Sequence, residues 1–178
     1  MPVNKQEKLD WFLDNNLCKR YILPSKSPIV SPVFFIKKKD SCLHLVQNYR
    51  KLNDFIVKNC YPHPLASDII NCLCQACIFT KFNVRWGYNN ICIKARDEWK
   101  AAFTTNRGLF EPQVMLFGLT NSLATFQTLM NTIFTNLVAA RKVAIYLDNI
   151  LIYTATLKEH YVITYEVLQC LYTHNLYL

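Results

Sequence analysis

The amino-acid sequence predicts an α+β fold in which helices cover one face of a mainly antiparallel sheet. Segments with helical and strand periodicity mix along the 178 residues without the strict strand–helix alternation of a parallel α/β fold. Two β-prone runs, residues 143–147 and 150–153, are separated only by Asp148 and Asn149, the length and composition of a two-residue hairpin turn. Hydrophobic residues make up 52% of the chain, which is a folding composition.

The first third of the chain predicts one helix and one hairpin. Residues 5–17 place apolar side chains at helical spacing, which favours a short amphipathic helix. Three prolines between positions 24 and 32 exclude a helix there and predict an extended segment leading to a strand at 33–36. The lysine-rich run at 37–40 then predicts a hairpin tip, with a return strand at 43–46.

The remaining elements follow from capping and periodicity. Ser67 predicts the N-cap of a helix at 65–76, followed by a strand at 78–84 that ends before Gly87, and a further element begins at 88–94. Apolar residues recur at spacings of three and four across 121–137, which predicts one long helix. Thr156 and Glu159 have capping-box spacing and predict the start of a last helix.

The charge balance makes nucleic acid the first partner to consider. Twenty Lys and Arg residues against twelve Asp and Glu residues give a net charge of +8, and the sequence pI is about 9.1, so the net field attracts polyanions. A merely basic globular protein is the alternative.

The polar start and the lack of an apolar run of ~18 residues predict a cytoplasmic or nuclear protein with reduced cysteines, neither secreted nor membrane-bound.

Five sequence blocks carry a resemblance to a known family. They are PSKSPIVSPVFFIKKKD, NYRKLND, KFNVRWGYNNICIK, DEWKAAFTTNRGLFEPQVMLFGLTNSLATFQ and YLDNILIY. In order and spacing they resemble the reverse transcriptase of gypsy-type LTR retrotransposons, especially fungal ones, over essentially the whole chain. The resemblance implies a polymerase-like right hand, with residues 1–80 mostly fingers, residues 81–178 mostly palm with some fingers, and neither thumb nor RNase H.

The family's catalytic aspartates correspond to Asn83, Asp148 and Asn149. Phosphoryl transfer to a primer 3′-hydroxyl needs divalent ions held by carboxylates, and the resemblance implies Mg²⁺ at these positions together with Val84. Because an asparagine carbonyl carries no charge, we expect impaired metal binding and an inactive polymerase.

Other family positions imply contacts to dNTP and to an RNA or DNA template-primer. The nucleotide-binding positions are Lys38, His44, Tyr88 and Gln127, and the nucleic-acid-binding positions are Lys37, Lys39 and Arg50. Some positions depart from the family: His44 replaces a basic fingers residue, Asn48 an aspartate and Leu123 a proline. Taken alone, Lys38 could be a surface charge, Gln127 a polar helix position and Tyr88 a core aromatic.

A cysteine cluster offers a weaker metal hypothesis. Cys72, Cys74 and Cys77, with His63 upstream, are residue types that bind zinc. Positions 72 and 74 would face about 200° apart on a helix, so we expect scattered thiols and no zinc site.

Two functions stay open from the sequence. One is an inactive retrotransposon polymerase domain, and the other is a non-catalytic nucleic-acid-binding or protein-interaction module with unknown protein partners.

Overall fold

The computed structural model describes residues 2–37, 43–61, 70–71, 73–74 and 76–178. They divide into two compact units, each discontinuous in sequence. The first unit comprises Met1–Lys58 and Tyr88–Ser122, and the second comprises Asn59–Gly87 and Leu123–Leu178. The division into fingers and palm near residue 80 stays a prediction.

Helices and strands alternate irregularly along the described residues. In chain order they are α1 (Val3–Cys18), β1 (Ile22–Pro24), β2 (Ser31–Lys37), β3 (Leu43–Gln47), α2 (Arg50–Phe55), β4 (Ile78–Asn83), β5 (Phe103–Thr105), β6 (Gly108–Pro112), α3 (Ser122–Ile133), α4 (Thr135–Ala139), β7 (Val143–Tyr146), β8 (Asn149–Thr154) and α5 (Leu157–Thr173). Two 3₁₀ turns, Gly87–Asn90 and Glu98–Ala101, lie between β4 and β5.

The first unit is built on a sheet whose described strands run in the order β1-β6-β5-β2-β3. All neighbours are antiparallel except β2 and β5. Helix α1 buries Leu9 and Leu13 in the same core as Phe103. The Tyr49 hydroxyl donates to the Ala101 carbonyl at 2.9 Å in this core, and burial raises the pKa of Tyr49.

Charged groups attach α1 to the β5–β6 hairpin. The Arg107 guanidinium lies 3.3 Å from Asp10 and 2.9 Å from Asp14, and the side-chain amide of Asn106 donates to Gln6. These carboxylates hold the pKa of Arg107 above its ordinary value.

Helix α1 and the β2–β3 hairpin arms agree with the sequence predictions. Elements β1, α2, β5 and β6 were not predicted, because three to six residues are too few for a clear period.

The second unit is built on a smaller antiparallel sheet with the described strand order β4-β8-β7. Its covered face contributes Ile145, Ile150 and Ile152 to a core that also contains Phe126 of α3 and Val167 of α5. With helices against an antiparallel sheet, the α+β class predicted from the sequence is confirmed.

A buried histidine ties α5 to two strands of this sheet. His160 is only 6% exposed, and its ring nitrogens lie 2.8 Å from the Thr80 hydroxyl of β4 and 2.9 Å from the Thr154 hydroxyl of β8. The helix begins as predicted, since the Thr156 hydroxyl accepts from the Glu159 backbone N–H at 3.4 Å. The two contacts of His160 with threonine hydroxyls fix the first turn of α5 on the sheet.

One predicted helix is divided in two. The segment expected to be a single helix at 121–137 forms α3 and α4, which are separated at Phe134 with φ −102° and ψ 18°. The Thr132 and Thr135 hydroxyls donate to backbone carbonyls one turn earlier, at 2.8 and 2.7 Å. Such bonds compete with the helical pattern and bend helices, which accounts for the break in a stretch whose apolar spacing is continuous.

Some predictions fall outside the described residues. The hairpin tip at Lys38 to Asp40 and the N-cap at Ser67 lie there, as does most of the helix expected at 65–76. Among the helices that the structure describes, none is both long enough and apolar enough to cross a bilayer.

Candidate active site

The β7–β8 hairpin carries the candidate site, and its turn lies one residue earlier than predicted. Tyr146 pairs with Asn149, so the two-residue turn is Leu147–Asp148 and not Asp148–Asn149. Asn149 also pairs with Asn83 of β4. This cross-strand pairing on both sides keeps Asn149 within the sheet, although its residue type favours a turn.

The hairpin and the end of β4 bring the three predicted catalytic positions together. The Asn83 side-chain amide lies 3.2 Å from one carboxylate oxygen of Asp148 and 3.3 Å from the amide oxygen of Asn149. The Asn149 amide lies 3.1 Å from the other Asp148 oxygen. The proximity expected from the sequence is therefore observed, while the catalytic role of these residues stays a prediction.

The direction of these hydrogen bonds defines the chemistry of the cluster. Both carboxylate oxygens of Asp148 accept from an asparagine amide, one from Asn83 and one from Asn149. The Val84 N–H donates to the Asp148 backbone carbonyl at 2.7 Å and fixes the turn against the end of β4. Asp148 thus has neutral donors where a metal cluster would supply cations.

The turn is strained, and the side chain of Gln127 hydrogen-bonds to it. Leu147 has φ 54°, in the left-handed region that is costly for a bulky residue. Its N–H donates to the Gln127 side-chain oxygen at 2.8 Å, and the Gln127 amide donates to the Ile145 carbonyl at 3.3 Å. Gln127 is fully buried, and its amide holds the end of β7 at Ile145 and the first residue of the turn, Leu147.

Two further residues extend this brace and were not identified from the sequence. The Gln127 amide also donates to the Asn131 side-chain oxygen at 2.9 Å, and the Asn131 amide donates to the Tyr61 hydroxyl at 2.9 Å. The spacing of Gln127 and Asn131, four residues apart on one helix, is the signal that could have identified the first contact.

The other predicted binding residues that the structure describes belong to the first unit. Lys37 ends β2, His44 lies on β3 opposite Ile36, and Arg50 begins α2. The Tyr88 ring lies in the first 3₁₀ turn and packs edge-on against Phe117, with 5.7 Å between ring centroids. Lys38 and Lys39 lie outside the described residues, and the nucleotide and nucleic-acid roles of all these positions stay predictions.

The described residues contain no group of three or more His, Cys, Asp and Glu side chains that could hold a metal ion. Cys74 and Cys77 are exposed free thiols. Cys72 and His63 fall outside the part of the chain that the structure describes, so the expected absence of zinc stays a prediction.

Comparison with known proteins gives a family match and close relatives. The family described as reverse transcriptase (RNA-dependent DNA polymerase) matches residues 36–178. The Tf2-7 polyprotein of Schizosaccharomyces pombe is 35% identical over 176 residues, and the Tf2-3 polyprotein of the same yeast is 34% identical. Each alignment covers 99% of this chain but only 13% of the relative, so the chain spans a small part of the transposon polyproteins it matches.

Solved structures share the fold. A foamy viral protease–reverse transcriptase in complex with an RNA/DNA hybrid superposes with a TM-score of 0.88 at 20% identity, covering 100% of this chain and 24% of that chain. A second foamy viral structure, in complex with double-stranded DNA, gives a TM-score of 0.85 at 20% identity, with 93% and 29% coverage.

Proposed function

Because the chain belongs to the reverse transcriptase family, we propose that it is a retrotransposon reverse transcriptase domain that has lost polymerase activity and retains affinity for nucleic acid. The observation that carries the loss of activity is the hydrogen bonding of Asp148, whose two carboxylate oxygens each accept from an asparagine amide. The same three positions hold carboxylates in the family that the sequence resembles.

The residues at the hairpin do not fit the pair of magnesium ions that the family resemblance implies. Two dications about 4 Å apart need bridging anionic oxygens, and Asp148 is the single carboxylate among the three positions. An amide that turns its N–H toward the carboxylate presents a positive dipole to the space a cation would occupy. Mg²⁺ also gives up its water reluctantly, so neutral amide oxygens are poor replacements.

The expected loss of rate is large. Electrostatic stabilisation provides most of the catalysis in phosphoryl transfer, and removal of one such contributor commonly costs ~10²-fold or more in kcat. Two missing carboxylates in one cluster act on the same ions, so their effects are not additive, and the combined loss is at least that of either alone. We therefore place primer extension by the natural chain below detection.

Affinity for nucleic acid is supported by charge and by fold. The net charge of +8 attracts phosphates, and foamy viral proteins of the same fold have been solved with an RNA/DNA hybrid and with double-stranded DNA. The partner we propose is an RNA or DNA template-primer bound without sequence preference. The family resemblance also implies contact with dNTP through Lys38, His44, Tyr88 and Gln127, and this contact stays a prediction.

Primer extension under single-turnover conditions tests the proposed inactivity. Natural chain in excess over a labelled primer on RNA or DNA template is expected to add no nucleotide with Mg²⁺ or Mn²⁺. Asp148→Asn, which removes the last carboxylate while keeping the side-chain volume, is the matched control. Extension by the natural chain that disappears in Asp148→Asn would contradict the proposal.

Lys37 and the two lysines that follow it in the sequence are expected to contribute the phosphate contacts. Replacing Lys37, Lys38 and Lys39 by Gln should lower affinity for single- or double-stranded nucleic acid about equally. It should also reduce the slope of log Kobs against log salt by up to about 3, because each lost phosphate contact releases one counterion fewer. Fluorescence anisotropy at several salt concentrations measures both quantities.

A control variant separates local contacts from net charge. Replacing Lys8, Lys26 and Lys158 by Gln makes the same change in charge at three exposed positions. We expect this variant to keep nearly the natural salt dependence. Equal losses in the two triple variants would show that only the overall charge matters.

A further inference from the structure

Helix α5 exposes a stripe of tyrosine and leucine side chains. The stripe consists of Leu157, Tyr161, Tyr165, Leu168 and Tyr172, with 55%, 68%, 68%, 42% and 84% of each residue exposed. At 100° per residue these five positions fall within a sector of about 80°. The residues that α5 buries against its own unit, His160, Val167 and Leu171, fall in a different sector. The helix therefore has a second apolar face that its own unit leaves uncovered.

Positive charge is sparse along α5 and the residues that follow it in sequence. Lys158 is the last Lys or Arg in the sequence, and the twenty residues after it contain two carboxylates and no Lys or Arg. One of these carboxylates, Glu159, is paired with Lys142 at 2.5 Å. Within a chain of net charge +8, this face is unsuited to phosphates and has the composition of a protein interface, rich in tyrosine and poor in charge.

We propose that the α5 stripe binds the same stripe of a second copy of this chain. Two copies with a net charge of +8 repel each other, and the five side chains of the stripe carry no charge, which lowers the electrostatic cost of contact there. An isologous contact needs a surface that is complementary to itself. Tyrosines meet this requirement, because their rings stack on one another and their hydroxyls both donate and accept.

The available area fits a weak dimer. An aromatic side chain buries ~150–250 Å² when fully covered, so the three tyrosines and two leucines offer on the order of 500 Å² per chain. Two copies would then bury about 1,000 Å², near the lower end of specific interfaces. We expect a dissociation constant in the micromolar range.

The central position of the stripe faces its own counterpart. Tyr165 lies at the midpoint between Leu157 and Tyr172, so a two-fold axis through the middle of the stripe brings Tyr165 against Tyr165 of the second copy. Like charges introduced there meet each other, whereas opposite charges on two different chains pair. Opposite charges introduced at this one residue of the two copies can therefore restore a contact that either charge alone weakens.

Sedimentation equilibrium of the purified natural chain, from about 5 to 200 µM, tests the proposal. A monomer–dimer equilibrium with a Kd on the order of 10 µM is expected. Tyr165→Glu and Tyr165→Lys should each weaken it at least about 10-fold, because a charge is desolvated beside an identical charge. An equimolar mixture of the two variants should recover dimers, which loss of folding or a different contact surface would not produce.

Matched variants exclude indirect effects. Trp11→Glu changes an aromatic residue of α1 that is 65% exposed and should leave the equilibrium unchanged. Tyr165→Ser, which adds no charge, should weaken association while circular dichroism stays that of the natural chain. A natural chain that stays monomeric to about 200 µM overturns the proposal. So does unaltered association of the three Tyr165 variants, loss of association in Trp11→Glu, or failure of the Glu and Lys variants to form mixed dimers.

Discussion

The double substitution Asn83→Asp, Asn149→Asp is expected to make the stability of the second unit depend on divalent cations. Without cations, three carboxylates would lie within about 3 Å of one another in place of one carboxylate held by two amides, and like charges at that distance repel. The melting temperature in EDTA should therefore fall below that of the natural chain. Mg²⁺ or Mn²⁺ should restore it, since a cation that binds only the folded state stabilises that state.

The size of the shift follows from mass action. Cation at 100 times its dissociation constant contributes about 2.7 kcal/mol, which for a domain of this length is on the order of 5–10 °C in Tm. The natural chain should show no such shift, because its amides already satisfy Asp148. Equal response of the natural and doubly substituted chains to Mg²⁺, or no response in either, would contradict the assignment of these residues to one former metal cluster.

Gln127→Leu is expected to lower the free energy of unfolding by about 3 kcal/mol. The substitution keeps the volume of a fully buried side chain but leaves the Leu147 N–H and the Ile145 carbonyl without their partner. Each unsatisfied buried polar group costs about 1–3 kcal/mol. Leu147 also loses the contact that stabilises its left-handed conformation, so the hairpin turn should become mobile.

Chemical denaturation measures this loss, and Thr128→Val provides the comparison. The Thr128 hydroxyl donates to the Ala124 carbonyl at 2.8 Å within the same helix, so its removal breaks a local bond and leaves no strained turn unsupported. We expect that variant to change stability by less than about 1 kcal/mol. A Gln127→Leu chain as stable as Thr128→Val would show that the Gln127 amide does not brace the turn.

Elements with clear periodicity or capping residues could be predicted from the sequence. The last helix begins at Leu157 because Thr156 caps it, and the apolar spacing of α1 is plain in the sequence. The β7–β8 hairpin was predicted from two β-prone runs with two residues between them. These signals are local and predicted that each element exists, although the turn of the hairpin lies one residue earlier than predicted.

Features set by contacts distant in sequence could not be predicted. The turn lies at Leu147–Asp148 because Asn83, 66 residues earlier, pairs with Asn149 and keeps it in the sheet. Strands β1, β5 and β6 are short and exist through pairing with one another. The break at Phe134 depends on threonine hydroxyls that leave the apolar period of the helix unchanged.

At the candidate site, the sequence identified the residues but not how they interact. The family pattern pointed to Asn83, Asp148 and Asn149, and the structure adds that the two amides donate to the carboxylate. The resemblance implied a nucleotide contact for Gln127, whereas its amide oxygen and nitrogen are already engaged by the hairpin and by Asn131. A side chain's hydrogen-bond partners depend on the folded geometry, which residue spacing alone does not contain.

Direct titration with Mn²⁺ tests whether amide donors have replaced cations at Asp148 of the natural chain. Electron paramagnetic resonance of free Mn²⁺ counts bound ions without any need for activity, template or primer. The natural chain and Asp148→Asn are expected to give the same titration curve, with no saturable site at millimolar Mn²⁺, while Asn83→Asp, Asn149→Asp gains one or two sites. A saturable site in the natural chain that is lost in Asp148→Asn would show that Asp148 still binds a cation.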